Sequence, residues 1–453
     1  MRKRLVGALF VLAAVLAPAQ VVEDCFTRDP GPLDFVHGEG PEQDILQALT
    51  GDALVGLDAA GRVVPRLATA WKRQQDGSLR FHLRTDAAFP DGTPLRAADA
   101  VWTFQALQHD PGASPSRRAI VEGVRAWVDH GQLVVASSKP PGRQLAELAR
   151  VPIARAGHPE QGRGPFRLRR EAGTWCLDRR AHHFLHPGIQ GLRFRLIGDS
   201  QGVYQALLKG WLTLGQPPAR LLATPPPGYR VMVQPKLYQL VIWSRAGLAP
   251  LQALERWRRD AFPPGLLGVG ARPSRGLLPE ALGFAPCAIQ APPAALPPGR
   301  PLTLLYAAED TPVEKLLLAL RERARRDGTR LRLVPVAQAL LVSRLQAGTF
   351  ELACFIAAFE PDPWSVLEYM EPDGPMNFTG WRDPSLAPVL ARIQAPGDPA
   401  WADLQRLWAR APGALPLVDF QSILWVDRRL HATTGPLGLY QTTPGPAGWS
   451  WTP

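Results

Sequence analysis

The spacing of apolar and polar residues predicts a compact run of elements between residues 54 and 104. Leu79, Phe81 and Leu83 alternate with basic residues, which is typical of a strand with one buried face. Apolar pairs on both sides of the turn at 58–61 predict a hairpin over 54–64. Apolar residues at helical spacing predict a helix over 97–107. This segment therefore predicts a hairpin, a strand and a helix in succession.

A second periodic region predicts a parallel sheet. Strand patterns at 302–306, 331–334 and 352–357 alternate with two helical patterns, which end at Gly328 and Gly348. Such a βαβαβ order implies right-handed crossovers. Because ligands of open parallel sheets bind beyond the carboxyl ends of the strands, we expect a site near the loops 307–310 and 358–362.

The start of the chain has the organisation of a secretory signal peptide. Basic residues at 2–4 precede an apolar run at 5–16 and an Ala-x-Ala pattern at 17–19. An uncleaved membrane anchor is the alternative, but a span takes about 20 apolar residues. Cys25 does not directly follow the small residues, so a lipid anchor is not expected. We predict cleavage near Ala19 and a periplasmic or extracellular protein.

Composition narrows the class of partner. A chain of 453 residues usually forms two or three domains. The net charge of +11 could indicate nucleic acid, but the arginines are spread along the chain without basic runs interleaved with aromatics. Nucleic acid is therefore not an expected partner. The 4 cysteines of an exported chain permit two disulfides.

Candidate chemistry is sparse. His182, His183 and His186 could be metal ligands, but Pro187 follows at once and the glutamate of an H-E-x-x-H motif is missing. Nucleophile-elbow, P-loop and dinucleotide-binding motifs are absent from the sequence. The acidic pair at 309–310 could be catalytic, although such pairs are more often solvated loop charges. We expect no metal, no cofactor and no catalytic residue.

Several motifs in the 54–104 segment resemble one known family. They include Leu54-Val55-Gly56-Leu57-Asp58, Phe81-His82-Leu83-Arg84 and Phe89-Pro90-Asp91-Gly92-Thr93-Pro94, in that order. The run is similar to the signature of extracellular solute-binding proteins of the oligopeptide, dipeptide and nickel ABC transporter family, known as family 5. The segments at 162–168, 361–363 and 381–384 are more loosely similar to motifs of the same family.

The resemblance implies an α/β, two-lobed, periplasmic-binding-protein-like fold with mixed sheets, a hinge and a discontinuous first lobe. Residues 20–236 and 415–453 would form the first lobe, and 237–414 the second. A monomer of this kind captures a peptide or other small solute by lobe closure and delivers it to an ABC permease in the membrane. Pairing Cys25 with Cys176 and Cys287 with Cys354 would keep each disulfide within one lobe.

The same resemblance suggests where ligand is held. The expected contact residues are Glu39, Gly40, Trp243, Phe359, Glu360, Asp362 and Trp364. Peptide-binding members carry an amine-anchoring aspartate at the position of Phe359, so this chain departs from them. Glu360 or Asp362 could replace that anchor, or the ligand could be apolar or uncharged. A secreted hydrolase and a sensor or interaction protein on the same scaffold stay open as alternatives.

Overall fold

The computed structural model describes residues 20–452, except 60, 140, 219–220, 262–269, 277, 288, 290–300, 309–310, 360–362, 394–397, 411 and 435–437. The predicted signal peptide at 1–19 lies outside the described residues. Within the described part of the chain, no helix has the length and apolar character needed to cross a membrane.

The elements follow one another in a mixed α/β order. The strands are β1 Val21–Phe26, β2 Val55–Leu57, β3 Val63–Pro65, β4 Ala68–Arg73, β5 Leu79–Leu83, β6 Arg125–Asp129, β7 Gln132–Ala136, β8 Ala154–Arg155, β9 His158–Gly162, β10 Phe166–Glu171, β11 Thr174–Arg179, β12 Gly191–Leu196, β13 Leu214–Gly215, β14 Tyr229–Ser244, β15 Ala271–Pro273, β16 Leu302–Ala307, β17 Leu331–Val336, β18 Leu352–Ala358, β19 Ala414–Asp427, β20 Leu430–His431 and β21 Ser450–Trp451. The helices are α1 Pro41–Thr50, α2 Ala97–His109, α3 Pro115–Val121, α4 Pro141–Leu148, α5 Ser200–Leu208, α6 Leu248–Ala261, α7 Thr311–Arg326, α8 Gln338–Ala347, α9 Leu386–Leu390, α10 Ala400–Arg410 and α11 Gly438–Gln441. Short 3-10 helices lie at Glu280–Leu282, Pro363–Tyr369 and Gly445–Gly448.

Two four-stranded sheets form the first lobe. One has the order β1-β12-β11-β10 and the other β4-β5-β7-β6. The alternation predicted for β5 is confirmed, since Leu79 and Phe81 are buried while His82 is exposed. The predicted hairpin is the β2–β3 pair, and the predicted helix is α2. Local periodicity was sufficient to predict these elements, because each of them has one face in a common core.

A seven-stranded mixed sheet carries the second lobe. Its order is β13-β19-β14-β18-β16-β17, with β15 paired to β19. β16 is parallel to both β17 and β18, which confirms the predicted βαβαβ unit. Alternate residues of the sheet face two separate cores: Val241 and Ala353 contribute to one, Ile242 and Cys354 to the other. This sheet is therefore covered on both faces.

Two long antiparallel strands connect the lobes. β14 and β19 pair from Tyr229 with Asp427 to Trp243 with Ala414. Their register shifts between Pro235 and Gln239, where β14 carries extra residues against β19. β13 pairs with β19 on one side of this shift and β18 with β14 on the other. The lobe boundaries at 236/237 and 414/415 lie within or beside these strands and stay a prediction.

The suggested disulfides are wrong, since all four cysteines are thiols. Cys25 on β1 and Cys176 on β11 are both opposite β12, which lies between their strands. Strands about 4.8 Å apart place these two Cα atoms about 10 Å from each other, beyond the reach of a disulfide. Cys287 and Cys354 pack against opposite faces of the seven-stranded sheet. Placing two cysteines in the same lobe was thus insufficient to predict a disulfide. Strand order and side-chain direction decide whether their sulfur atoms can meet.

Alkylation of the denatured protein without reductant should modify all four cysteines. The physical reason is that neither pair named above can approach to bonding distance without breaking a sheet. Intact mass spectrometry counts the added groups. A protein that takes up only two groups until it is reduced would contradict the strand order described here.

Candidate functional site

A large groove opens in the first lobe, beside the strands that join the lobes. Its volume is about 670 Å³, within the range of small-molecule sites. The end of β1, the start of α1, the start of α5, the segment after β13 and helix α11 surround it. Gln234 of β14 and Leu424 of β19 complete the wall. We refer to this space as the first-lobe groove.

Carboxylates dominate the charge of the first-lobe groove. Asp24, Asp44 and Asp199 line it, and none of its described lining residues is an arginine, lysine or histidine. This is unusual in a chain of net charge +11. The groove therefore presents a locally negative surface, which favours a positively charged or hydrogen-bond-donating group of a ligand.

Asp24 is the deeply buried carboxyl of this groove. Burial raises its pKa to about 7, although Tyr440 donates a hydrogen bond to one carboxyl oxygen and the Cys25 amide donates to the other at 2.8 Å. Burial beside Asp24 also raises the pKa of the Cys25 thiol to about 12. Asp24 can consequently be neutral or ionised near neutral pH, while Cys25 stays a thiol.

A smaller pocket of about 100 Å³ adjoins the groove and has the opposite charge. Arg66, Arg117 and Arg150 line it. Asp44 and Gln441 line both spaces. Arg117 donates to Asp44 and, at 2.5 Å, to the Gly38 carbonyl, so its guanidinium is fixed between the two spaces. We refer to this space as the arginine pocket.

A buried ionic cluster positions Arg66. Its guanidinium donates to Asp52, which also accepts a hydrogen bond of 2.7 Å from His183 Nε2. Burial opposes ionisation of Asp52, but Arg66 and His183 outweigh it and hold its pKa below the usual range. Burial lowers the pKa of His183, and the Leu185 amide donates to its Nδ1 at 3.1 Å. Neutral His183 therefore donates from Nε2.

This cluster accounts for one residue of the histidine group. His183 forms a hydrogen bond with Asp52 through Nε2. Throughout the described ranges, no group of three or more His, Cys, Asp or Glu side chains is placed to hold a metal ion. No local pattern indicates the contact between Asp52 and His183, because 131 residues separate the pair.

Glu39 and Gly40 lie next to the arginine pocket and the groove. Glu39 accepts hydrogen bonds from Ser114 Oγ and, at 3.3 Å, from Ser116 Oγ, and Ser116 lines the arginine pocket. Gly40 has a φ of 101°, a conformation that favours glycine, and it precedes Pro41, which lines the groove. The loop expected to contact ligand is thus beside both spaces, but Glu39 is engaged within the first lobe.

The second-lobe residues of the expected site are packed into an aromatic core. Trp243 stacks on Tyr369 with ring centroids 5.4 Å apart, and Phe359 contacts the same ring at 5.1 Å. Trp364 meets the edge of Trp401 at 5.3 Å. Phe359 is only 9% exposed, so an aspartate here would be buried among apolar rings. Glu360 and Asp362 lie outside the described residues.

Comparison with known proteins shows which family this chain resembles. Residues 62–235 match the family model described as bacterial extracellular solute-binding proteins, family 5 middle. A periplasmic murein peptide-binding protein, MppA, of Escherichia coli is 34% identical over 102 residues, which are 22% of this chain and 19% of the relative. The nickel-binding periplasmic protein of the same bacterium is 33% identical over 109 residues, 23% of this chain and 21% of the relative.

Solved structures match over the whole fold. The unliganded open form of the murein tripeptide-binding protein MppA superimposes with a TM-score of 0.81 at 18% identity, over 96% of this chain and 98% of that one. NikA from Brucella suis, in complex with Fe(III)-EDTA, gives 0.70 at 17% identity, over 95% and 99% of the two chains. The two-lobed fold predicted from sequence is confirmed.

This chain matches the family 5 extracellular solute-binding proteins over residues 62–235. Its sequence alignments span about a fifth of the length of each relative, with 19% and 21% covered. The recognisable family 5 signature is therefore concentrated in one part of the chain, while the fold extends over nearly all of it.

Sequence reasoning missed the polar residues that line the first-lobe groove and the arginine pocket. Asp24 is a polar residue on the buried face of β1, between Val22 and Phe26, and that pattern could have identified it. Tyr440, Arg117 and Arg150 lie in ordinary sequence contexts. Only the fold brings them to the two spaces.

Replacing Asp24 should change how stability depends on pH. The carboxyl ionises near 3.8 in its unperturbed state and near 7 in the fold. Between these values the unfolded chain is ionised and the fold is neutral, so raising the pH from 4 to 7 favours unfolding. Asp24→Asn removes this dependence, and its free energy of unfolding should gain a few kcal/mol relative to the parent over that range.

Chemical denaturation at pH 4.5, 6 and 8 measures this difference. Tyr440→Phe provides a second check, because loss of the donated hydrogen bond raises the Asp24 pKa further and extends the decline of stability to higher pH. Parallel pH profiles for Asp24→Asn and the parent would show that the Asp24 carboxyl ionises normally in the fold.

Proposed function

We propose that this protein captures a small polar solute outside the cytoplasm and delivers it to an ABC importer by lobe closure. The observation that carries the proposal is the 670 Å³ groove beside the two strands that connect the lobes. A ligand held there would contact the strands about which the second lobe turns. Capture requires no covalent step, and the related proteins are named as binding proteins.

The charges of the two first-lobe spaces favour a zwitterion. Arginines line one space and aspartates the other, and Asp44 and Gln441 are common to both. A free carboxylate fits beside Arg150, and an ammonium group fits beside Asp24 and Asp199. A short peptide carries both groups. In this arrangement the first-lobe groove supplies the amine-binding carboxylates that the position of Phe359 lacks.

The seven residues expected from sequence divide by role in this proposal. Glu39 and Gly40 position the edge of the first-lobe spaces. Trp243, Phe359 and Trp364 form the apolar core of the second lobe, which would close over the ligand. Glu360 and Asp362 lie between Phe359 and Trp364 in the sequence and stay expected ligand contacts.

Calorimetry with three forms of trialanine tests the zwitterion directly. We expect the unmodified peptide to bind more tightly than both its C-terminal amide and its N-acetyl form, because each modification removes one charge. Equal affinity for all three forms would exclude charge recognition at both ends. A screen in which no peptide binds would reject the peptide class.

Arg150→Gln should weaken binding of the unmodified peptide by about tenfold or more, since a charged hydrogen bond contributes about 1.5–3 kcal/mol. Affinity for the amidated peptide should change little. Arg325→Gln is the matched control, because Arg325 is an exposed residue paired with Glu322 on the second lobe. If both variants weaken binding equally, Arg150 does not contact the carboxylate.

Ligand should also make the protein more compact. Closure of two lobes about β14 and β19 shortens the largest dimension of the molecule, which small-angle scattering measures with and without saturating peptide. An unchanged radius of gyration in the presence of a ligand that calorimetry shows to be bound would rule out closure as the capture mechanism.

A further inference from the structure

A small cavity lies inside the second lobe, apart from the first-lobe spaces. Gln239, Trp243, Tyr369 and Trp408 contribute to its wall, and apolar side chains form the rest. Its volume is about 20 Å³, enough for one water-sized group. Gln239, Trp243 and Trp408 are at most 3% exposed.

Three of the residues that line the cavity each carry one buried polar atom that has no hydrogen-bond partner among the residues that the structure describes. These atoms are Gln239 Oε1, Trp243 Nε1 and Trp408 Nε1. Leaving one such atom unsatisfied costs about 1–3 kcal/mol, and native proteins contain few of them. Three around one cavity indicate an occupant that supplies the missing partners.

The orientation of the Gln239 amide is fixed by its surroundings. Its Nε2 donates to Asp419 Oδ1 at 2.8 Å and to Ser274 Oγ at 3.3 Å. A carboxylate can only accept, so the nitrogen must face Asp419. The remaining oxygen is therefore an acceptor, and the two indole groups are donors.

This set of two donors and one acceptor selects the occupant. A hydroxyl or a water accepts from both indoles and donates to Gln239. An ammonium group has no lone pair for the indoles, and an anion has no hydrogen for Gln239. None of the lining residues described around the cavity is charged, so an ion would also be poorly stabilised.

We propose that this cavity is a binding site for a single neutral O–H group, hydrogen-bonded to Gln239, Trp243 and Trp408. Two sources share this chemistry: a permanently buried water, and a hydroxyl of the captured solute. The first is independent of the proposed function, and the second rests on it. Either occupant links β14, next to its register shift, to helix α10.

High-resolution crystallography of the extensively dialysed protein and of a ligand complex separates the sources. An isolated density peak within hydrogen-bond distance of all three atoms in both crystals identifies a water. A peak continuous with the ligand, and present only in the complex, identifies a solute hydroxyl. Absence of density in both crystals overturns the proposal, whether or not the protein binds a solute.

Indole N–H signals provide a solution test with a matched control. Trp408→Phe removes one donor to the occupant, so the Trp243 indole proton should shift and its exchange with solvent should accelerate. Trp449→Phe is the control, because Trp449 is equally buried, its Nε1 also has no partner among the described residues, and it lies in a first-lobe core. If the two variants leave the Trp243 signal equally unchanged, no occupant connects the indoles.

Discussion

The antiparallel pairing of β14 with β19 is the interaction on which the rest of the structure depends. It is the element that both lobes share, with 16 residues in one strand and 14 in the other. Backbone hydrogen bonds hold the two strands together, but their register shifts between Pro235 and Gln239. Bulges of this kind bend and twist a strand pair locally. The connection is therefore continuous enough to orient the lobes and irregular at two neighbouring places, between Pro235 and Gln239 and between Leu240 and Val241.

Contacts between residues far apart in the sequence hold the polar groups of the first lobe in place. Asp52 binds Arg66, which in turn donates to Thr443 Oγ1 at 3.2 Å in the C-terminal segment. Neighbouring Gly56 leaves no room for a side chain, since a Cβ there would lie 2.2 Å from Thr443 Oγ1. Close packing thus holds the C-terminal segment against the β2 hairpin. That contact places Gln441 between the groove and the arginine pocket.

The interior of the second lobe differs from that of the first. Where peptide-binding relatives of this chain are expected to carry an aspartate, Phe359 joins Trp243 and Tyr369 in an apolar core. The core encloses three polar atoms that its own side chains leave unsatisfied. In the proposed mechanism, the first lobe recognises charge, while the second lobe offers an apolar surface and one neutral polar position.

The predictions that succeeded from sequence concern short-range order. Alternation in Leu79–Leu83 and the periodic residues of α2 predicted elements that the structure contains. The expected ligand residues stay a prediction. Trp243 and Phe359 do share one cluster, but Glu39 is bound to first-lobe serines, and the disulfide pairs were wrong.

The amino-acid sequence by itself determined the order of elements and the resemblance to family 5, because periodicity and turn residues act over a few positions. The tertiary structure alone decided the charge of the site. Asp24 and Tyr440 are separated by 416 residues and meet in one hydrogen bond. Such a meeting depends on which strands pair and which way each side chain points, and no local pattern encodes either.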